Sequence, residues 1–281
     1  PGAVAAAAAG AITRTEQGRE KQYMKVGVIT NWLPLELRAG LIKAKEMGAH
    51  GVQLWIVNNE LEPRKLSKSG RADLMSFMAS IGLERSALCG DIKGFDNPAT
   101  VDEHVARTKE MFDLCVDLQT PILTTHIGTV PEDADSSAYA HLVEAVREIA
   151  VYAAERGCCF ATETGTEPAE RLARFLADVD CDGAKVNYDP ANFCMRGFEH
   201  LEGVQLLKQY IVHTHAKDGL TNQPKEMPLG KGNVDIPAYV DALRAIGYNG
   251  YLTIERKYTT EPLVELPEAV KYLKTLEGVD Q

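Results

Sequence analysis

The chain has 281 residues, of which 45% are hydrophobic, 25% charged and 7% aromatic, a composition that excludes a disordered or collagen-like polymer. Lys+Arg number 30 against 40 Asp+Glu, a formal net charge of -10, the opposite of what a nucleic-acid binder needs to neutralise phosphates. No apolar run approaches the ~20 residues of a membrane span, and the length admits either two modest domains or one large barrel.

Residues 1–23 stand apart, with an alanine run from Ala5 to Ala9 and a polar stretch from Thr13 to Gln22. The run is weakly apolar and lacks the basic flank of a secretory signal. Residues 1–23 are therefore read as an extension or linker remnant, Met24 as the native start, and 24–281 as a single domain. The six cysteines (Cys89, Cys115, Cys158, Cys159, Cys181 and Cys194) form no CxxC pair and share no zinc-finger spacing with histidines. Reduced thiols and a cytoplasmic location are expected.

From Lys25 onward, short β-branched runs alternate with longer segments of helical period. The runs are Val26–Thr30, Gly51–Trp55, Arg85–Cys89, Ile122–His126, Cys159–Glu163, Lys185–Asp189, Ile211–Ala216 and Tyr251–Glu255. They begin about 32 residues apart on average, the size of one strand–helix unit. Between the fourth and fifth runs, Leu142, Val146, Ile149, Ala150 and Ala153 share one helical face, and Gly157 sits where a C-cap belongs. Leu37, Leu41 and Ala44 repeat the pattern and close at Gly48, while Asp235 followed by Pro237 reads as a helix start. Eight strands alternating with eight helices describe an α/β (β/α)8 TIM barrel, with a doubly wound open sheet as the alternative.

In such a barrel the active site lies at the C-terminal ends of the strands. The fifth run ends at Glu163, the sixth at Asp189, the seventh at His215 and the eighth at Glu255. Each alone reads as an ion pair or a hydrogen-bonded rim residue. Together, three carboxylates at one mouth would repel one another, and a divalent cation is the compact remedy. The oxygens suit Mn²⁺ or Mg²⁺ and the imidazole Zn²⁺ or Co²⁺, and Mn²⁺ is favoured. His213 shares a strand face with His215, so parity does not choose between them, although position at the strand end favours His215.

The motifs Asn187-Tyr188-Asp189-Pro190-Ala191-Asn192, His213-Thr214-His215-Ala216-Lys217-Asp218-Gly219, Gly230-Lys231-Gly232-Asn233-Val234-Asp235, Gly247-Tyr248-Asn249-Gly250 and Thr253-Ile254-Glu255-Arg256 go together. With Ala87-Leu88-Cys89-Gly90-Asp91 and Thr125-His126-Ile127-Gly128, the chain from Met24 onward resembles the xylose isomerase-like TIM-barrel superfamily of sugar phosphate isomerases and epimerases. The resemblance implies one divalent ion on Glu163, Asp189, His215 and Glu255, with the two glutamates doubling as the acid/base pair. Its ketose 3-epimerases have a His where this chain has Asn192, and their second substrate-binding Glu lacks a clean equivalent, Glu167 being displaced. Its endonuclease IV branch needs further ligands. Asn192 replaces one of that branch's histidines, residues 220–229 hold neither the Asp nor the His expected there, and the acidic charge also argues against DNA repair.

The expected function is a divalent-metal-dependent isomerase or epimerase of a sugar or keto-sugar. A proton leaves the carbon beside a metal-chelated carbonyl, giving an enediolate. The alternative is a metal-dependent lyase or dehydratase eliminating from a keto-polyol or 3-keto-glycoside, as inosose dehydratase does, and a sugar-binding barrel without catalysis is a third reading. His126 is expected as a further acid/base group, and Trp55, Asn192, Lys217 and Glu167 as substrate contacts, while Asp218 pairs locally. Gly230-Lys231-Gly232 stands where barrels often cradle phosphate, though a lone GxG commits to nothing. The expected partner is a small carbohydrate, with no nucleic acid and no membrane, in a homo-oligomer (dimer or tetramer) by analogy.

Overall fold

The computed structural model describes residues 23–281, so the extension assigned to 1–23 lies outside the described residues except for Tyr23. The strands are β1 Lys25–Ile29, β2 Gly51–Trp55, β3 Glu84–Cys89, β4 Ile122–Thr125, β5 Cys159–Glu163, β6 Ala184–Tyr188, β7 Ile211–Ala216, β8 Asp218–Gly219, β9 Glu226–Met227 and β10 Tyr251–Ile254. All but β8 and β9 join one parallel sheet, in which β1 pairs with both β2 and β10. That closure excludes the open-sheet alternative. The helices are α1 Leu37–Glu46, α2 Lys68–Ser80, α3 Val101–Asp117, α4 Ser137–Ala154, α5 Ala169–Val179, α6 Pro190–Met195, α7 Glu202–Leu206, α8 Ile236–Ala245 and α9 Pro262–Leu273.

The helix signals act as expected. The α4 face carrying Leu142, Val146, Ile149, Ala150 and Ala153 is buried, and the Ser136 hydroxyl caps the helix by accepting from Tyr139 N. The Asp235 side chain caps α8 at Ala238 N, with proline in the first turn. Gly48 (φ 89°) and Gly157 (φ 68°) make the left-handed exits that a side chain resists.

Several boundaries differ from the expectation. β1, β4, β6 and β10 each stop one residue early, before Thr30, His126, Asp189 and Glu255. The last three leave the ladder to serve the mouth; Asp189 caps α6, accepting from Asn192 N. The sixth crossover holds two short helices, α6 and α7, rather than one, and the seventh carries the antiparallel hairpin β8–β9 before α8.

The barrel interior below the mouth is polar. His213 Nδ1 lies 2.8 Å from Asn187 Oδ1, and its Nε2 lies 3.0 Å from Thr253 Oγ1 and 3.3 Å from Ser86 Oγ. Burial, with His215 nearby, drives His213 well below the ordinary imidazole pKa. It is a neutral, fully partnered residue of the barrel floor.

Candidate metal centre

Glu163 ends β5, Asp189 and Glu255 directly follow β6 and β10, and His215 lies in β7. One ligand atom from each comes within 4.8 Å of all the others. His215 Nδ1 is 3.1 Å from Glu255 Oε2, 3.4 Å from Asp189 Oδ2 and 3.7 Å from Glu163 Oε1. Burial alone would drive His215 toward neutrality, yet these carboxylates, Glu163 foremost, raise its pKa well above the ordinary value. Two buried acids and a third with 11% of its side chain exposed, all sharing one imidazole, are an anionic set that calls for a cation.

Each ligand is held from behind. His215 Nε2 faces Gln53 Oε1 at 3.0 Å and Asn187 Nδ2 at 3.2 Å. The shorter contact, to an oxygen, keeps a proton on Nε2, so Nδ1, facing the carboxylates, is the nitrogen whose proton an ion would displace to take the lone pair. Gln53 Nε2 in turn donates to Thr124 Oγ1 at 2.6 Å. Asp189 Oδ1 accepts from Asn192 N at 2.9 Å, which leaves Oδ2 toward the cluster. The donor chemistry therefore fits a divalent ion that accepts oxygen ligands and one imidazole.

Asn192 and Lys217 join the same group. Asn192 Nδ2 donates to Glu163 Oε1 at 2.8 Å, and Asn192 Oδ1 accepts from Lys217 Nζ at 3.2 Å. Asn192 reaches this far because Gly165 has no Cβ; at φ +112° a Cβ there would sit 2.2 Å from that of Asn192. Lys217 Nζ also donates to Glu255 Oε2 at 3.1 Å and lies 3.4 Å from Asp189 Oδ2 and 3.6 Å from Glu226 Oε1. Burial opposes its charge, but Asp189, Glu255, Glu163 and Glu226 raise its pKa well above the usual lysine value. In return Lys217 and His215 overcome burial and hold Glu255 far below the ordinary carboxyl range.

Following β4, His126 reaches in from the opposite side. Its Nδ1 lies 3.2 Å from Asp91 Oδ2, and its Nε2 is 3.7 Å from Glu163 Oε1. Trp55 is half-buried at the end of β2; its indole donates to Val57 O at 2.9 Å, and its ring tilts against Trp32 with centroids 5.8 Å apart. Glu167 is the outlier: it is buried, and its Oε2 accepts from Val130 N at 3.2 Å and Thr166 Oγ1 at 2.7 Å. Burial pushes its carboxyl above the usual range. Those bonds tie it to the loop after β4 rather than to the cluster.

Sequence reasoning missed Gln53, Asp91 as the partner of His126, Trp32 and Glu226. Glu226 lies on β9 and is buried; its Oε2 accepts from Lys257 N at 3.0 Å and Tyr258 N at 3.1 Å and lies 3.4 Å from Arg256. Gln53 did leave a signal: a lone amide between Val52 and Leu54 in an apolar strand must find a buried partner.

A family model described as a xylose isomerase-like TIM barrel matches residues 41–276. The chain belongs to this family. Its relatives include a xylose isomerase domain protein from Planctomyces limnophilus, 27% identical with a TM-score of 0.81 over 90% of this chain and 97% of that one. The structure of an IolI protein with a bound zinc atom matches at a TM-score of 0.74 and 18% identity over 90% of this chain and 96% of that one, a likeness of fold. An uncharacterized protein of Methanocaldococcus jannaschii is 25% identical over 179 residues, 57% of this chain. The match spans 61% of the length of that relative.

Proposed function

We propose that the chain is a divalent-metal-dependent isomerase or epimerase of a sugar or keto-sugar. The observation that carries this reading is the convergence of Glu163, Asp189, His215 and Glu255, one donor atom of each within 4.8 Å of the rest. These four residues would hold the ion, and Mn²⁺ is the ion we favour for three carboxylates and one imidazole. When bound, such an ion polarises a substrate carbonyl and acidifies the adjacent C–H. That a barrel of the same fold, the IolI protein, binds a zinc atom supports a metal-dependent reading.

The remaining work falls to side chains. Glu163 ends β5 and Glu255 follows β10, strands separated by β6 and β7 in the closed order, so they flank a substrate and serve as a base and an acid for its carbon-bound proton. Asn192, which donates to Glu163, fixes the orientation of one carboxylate, and Lys217 fixes the other. A lysine ammonium here also stabilises negative charge developing on a substrate oxygen. Trp55 offers a face against which a sugar ring stacks.

The partner is a small carbohydrate. Among the described residues no helix is long and apolar enough to cross a membrane, and the six free cysteines support a cytoplasmic location. The test is incubation of purified, metal-loaded protein in D₂O with a broad panel of sugars and keto-sugars, read by mass and by product analysis. Deuterium on the carbon beside the carbonyl, or an isomeric product, is expected. Neither, across the whole panel, would refute the reading.

One feature favours a second reading, the lyase. His126, oriented by Asp91, turns Nε2 toward Glu163, which places a second proton carrier next to the base. It could deliver a proton to a departing β-substituent after the same abstraction. An enone absorbance or a released aglycone from 3-keto substrates, lost in His126→Gln, would establish it.

A further inference from the structure

Barrels that take phosphorylated substrates often seat the phosphate on amides of the loops after the seventh and eighth barrel strands. Here the loop after β7 has converging amides of this kind, and they are already taken. Asp218 is buried, and its carboxylate accepts four main-chain N–H bonds. Oδ1 accepts from Gly219 at 2.8 Å and Val234 at 3.1 Å; Oδ2 accepts from Gly230 at 2.9 Å and Gly232 at 2.8 Å. Four amides on two carboxylate oxygens make an anion nest with its anion in place.

The loop is shaped to this one occupant. A Cβ on Gly232 would lie 2.1 Å from Asp218 Oδ1, and Gly230 turns at φ +78°. Asn233 N donates to Gly219 O at 2.8 Å, and Asn233 Oδ1 accepts from Thr221 N at 3.0 Å, so both arms of the excursion close around the carboxylate. Asp218 follows Lys217, whose ammonium lies in the candidate centre. The filled nest therefore sits in the loop directly after the lysine that enters the centre.

We propose that Asp218 is a built-in anion occupying the cradle in which other barrels seat a substrate phosphate, so that the substrate of this site carries no phosphate on the β7–β10 side. The substrate half rests on the sugar-carbonyl reading above, whereas the anion half stands on the amide geometry alone.

The anion half is tested by thermal unfolding of Asp218→Ala in chloride and in formate at matched ionic strength. Removing the carboxylate strands four amides and is expected to lower Tm by more than about 5 °C. Formate is expected to recover at least half of that loss while leaving the wild type unmoved, and Asp218→Asn, which keeps the shape, is expected not to respond. A folded alanine variant indifferent to formate overturns the proposal. Titration of the wild type with millimolar inorganic phosphate, followed by calorimetry, is expected to give no binding; saturable binding that competes with substrate also overturns it, even if the alanine variant fails to fold.

The substrate half compares free keto-sugars with their terminally phosphorylated counterparts on the metal-loaded wild type. The phosphorylated series is expected to be at least about tenfold poorer in kcat/KM; preference for it refutes the substrate half. If neither series reacts while metal binds, the sugar-carbonyl reading falls, and the formate and phosphate results still decide the role of Asp218.

Discussion

Gln53 shows how much of the centre depends on a residue that cannot touch substrate. It fixes the His215 tautomer from below through the 3.0 Å contact to Nε2. Gln53→Leu is expected to weaken metal affinity by about 10–100-fold in chelator competition, because outer partners orient ligating imidazoles. Gln53→Glu should restore most of it, since a carboxylate accepts the same N–H. His126 sets a pH dependence. The charge of Glu163, helped by Asp91, outweighs burial and pushes its pKa up to about 9 from 6.5. A histidine raised in this way stabilises the fold fully below the unfolded value near 6.5, and the contribution is lost as pH rises through about 9. In metal-free protein the Tm gap between wild type and His126→Gln should therefore shrink from about pH 6 to about pH 9.5, read by calorimetry. The four candidate ligands were legible because strand-end carboxylates and imidazoles are unusual at a barrel mouth. Parity did not separate His213 from His215, since period two places both inward; position at the strand end favoured His215, and depth in the barrel is what distinguishes the two.

At the scale of elements, α6 is the part most tightly committed to the site. Asp189 caps it, Pro190 opens it, and Asn192 in its first turn reaches Glu163 across Gly165. Gly165→Ala combines a positive φ with a collision and is expected to cost about 1–3 kcal/mol in urea unfolding. It should also weaken metal binding as Asn192 is displaced. The eight barrel strands were readable from β-branched runs at regular intervals, but their last residues were not. Whether Asp189 continues the ladder or turns to cap a helix depends on Asn192 N and Thr164 being there to meet it. The β8–β9 hairpin was invisible for a related reason: two-residue strands carry no periodicity, and the partners of Glu226 include amides of the loop after β10, remote in the chain.

The molecule is a closed barrel with a concentration of carboxylates, from Glu163, Asp189 and Glu255, at the C-terminal ends of its strands. The strand count agreed with closure without requiring it, because a doubly wound open sheet also has both faces covered by helices; the pairing of β1 with β10 is what closes the barrel. The same concentration predicts how the whole fold responds to metal. With ion at about 1,000 times its Kd, stability should rise by about 4 kcal/mol and Tm by about 10 °C. EDTA should reverse both in a thermal-shift series, and a protein whose Tm ignores both EDTA and Mn²⁺ would not be holding an ion at these residues.

Glu226 has a bearing on how such barrels diversify. By receiving the amides of Lys257 and Tyr258 while facing Lys217, it couples two connections that are remote in the chain. Neither can drift in length or course independently, so acquisition of a new substrate here would require paired changes. A graft of residues 217–234 from a cousin should work only when residues 255–258 travel with it.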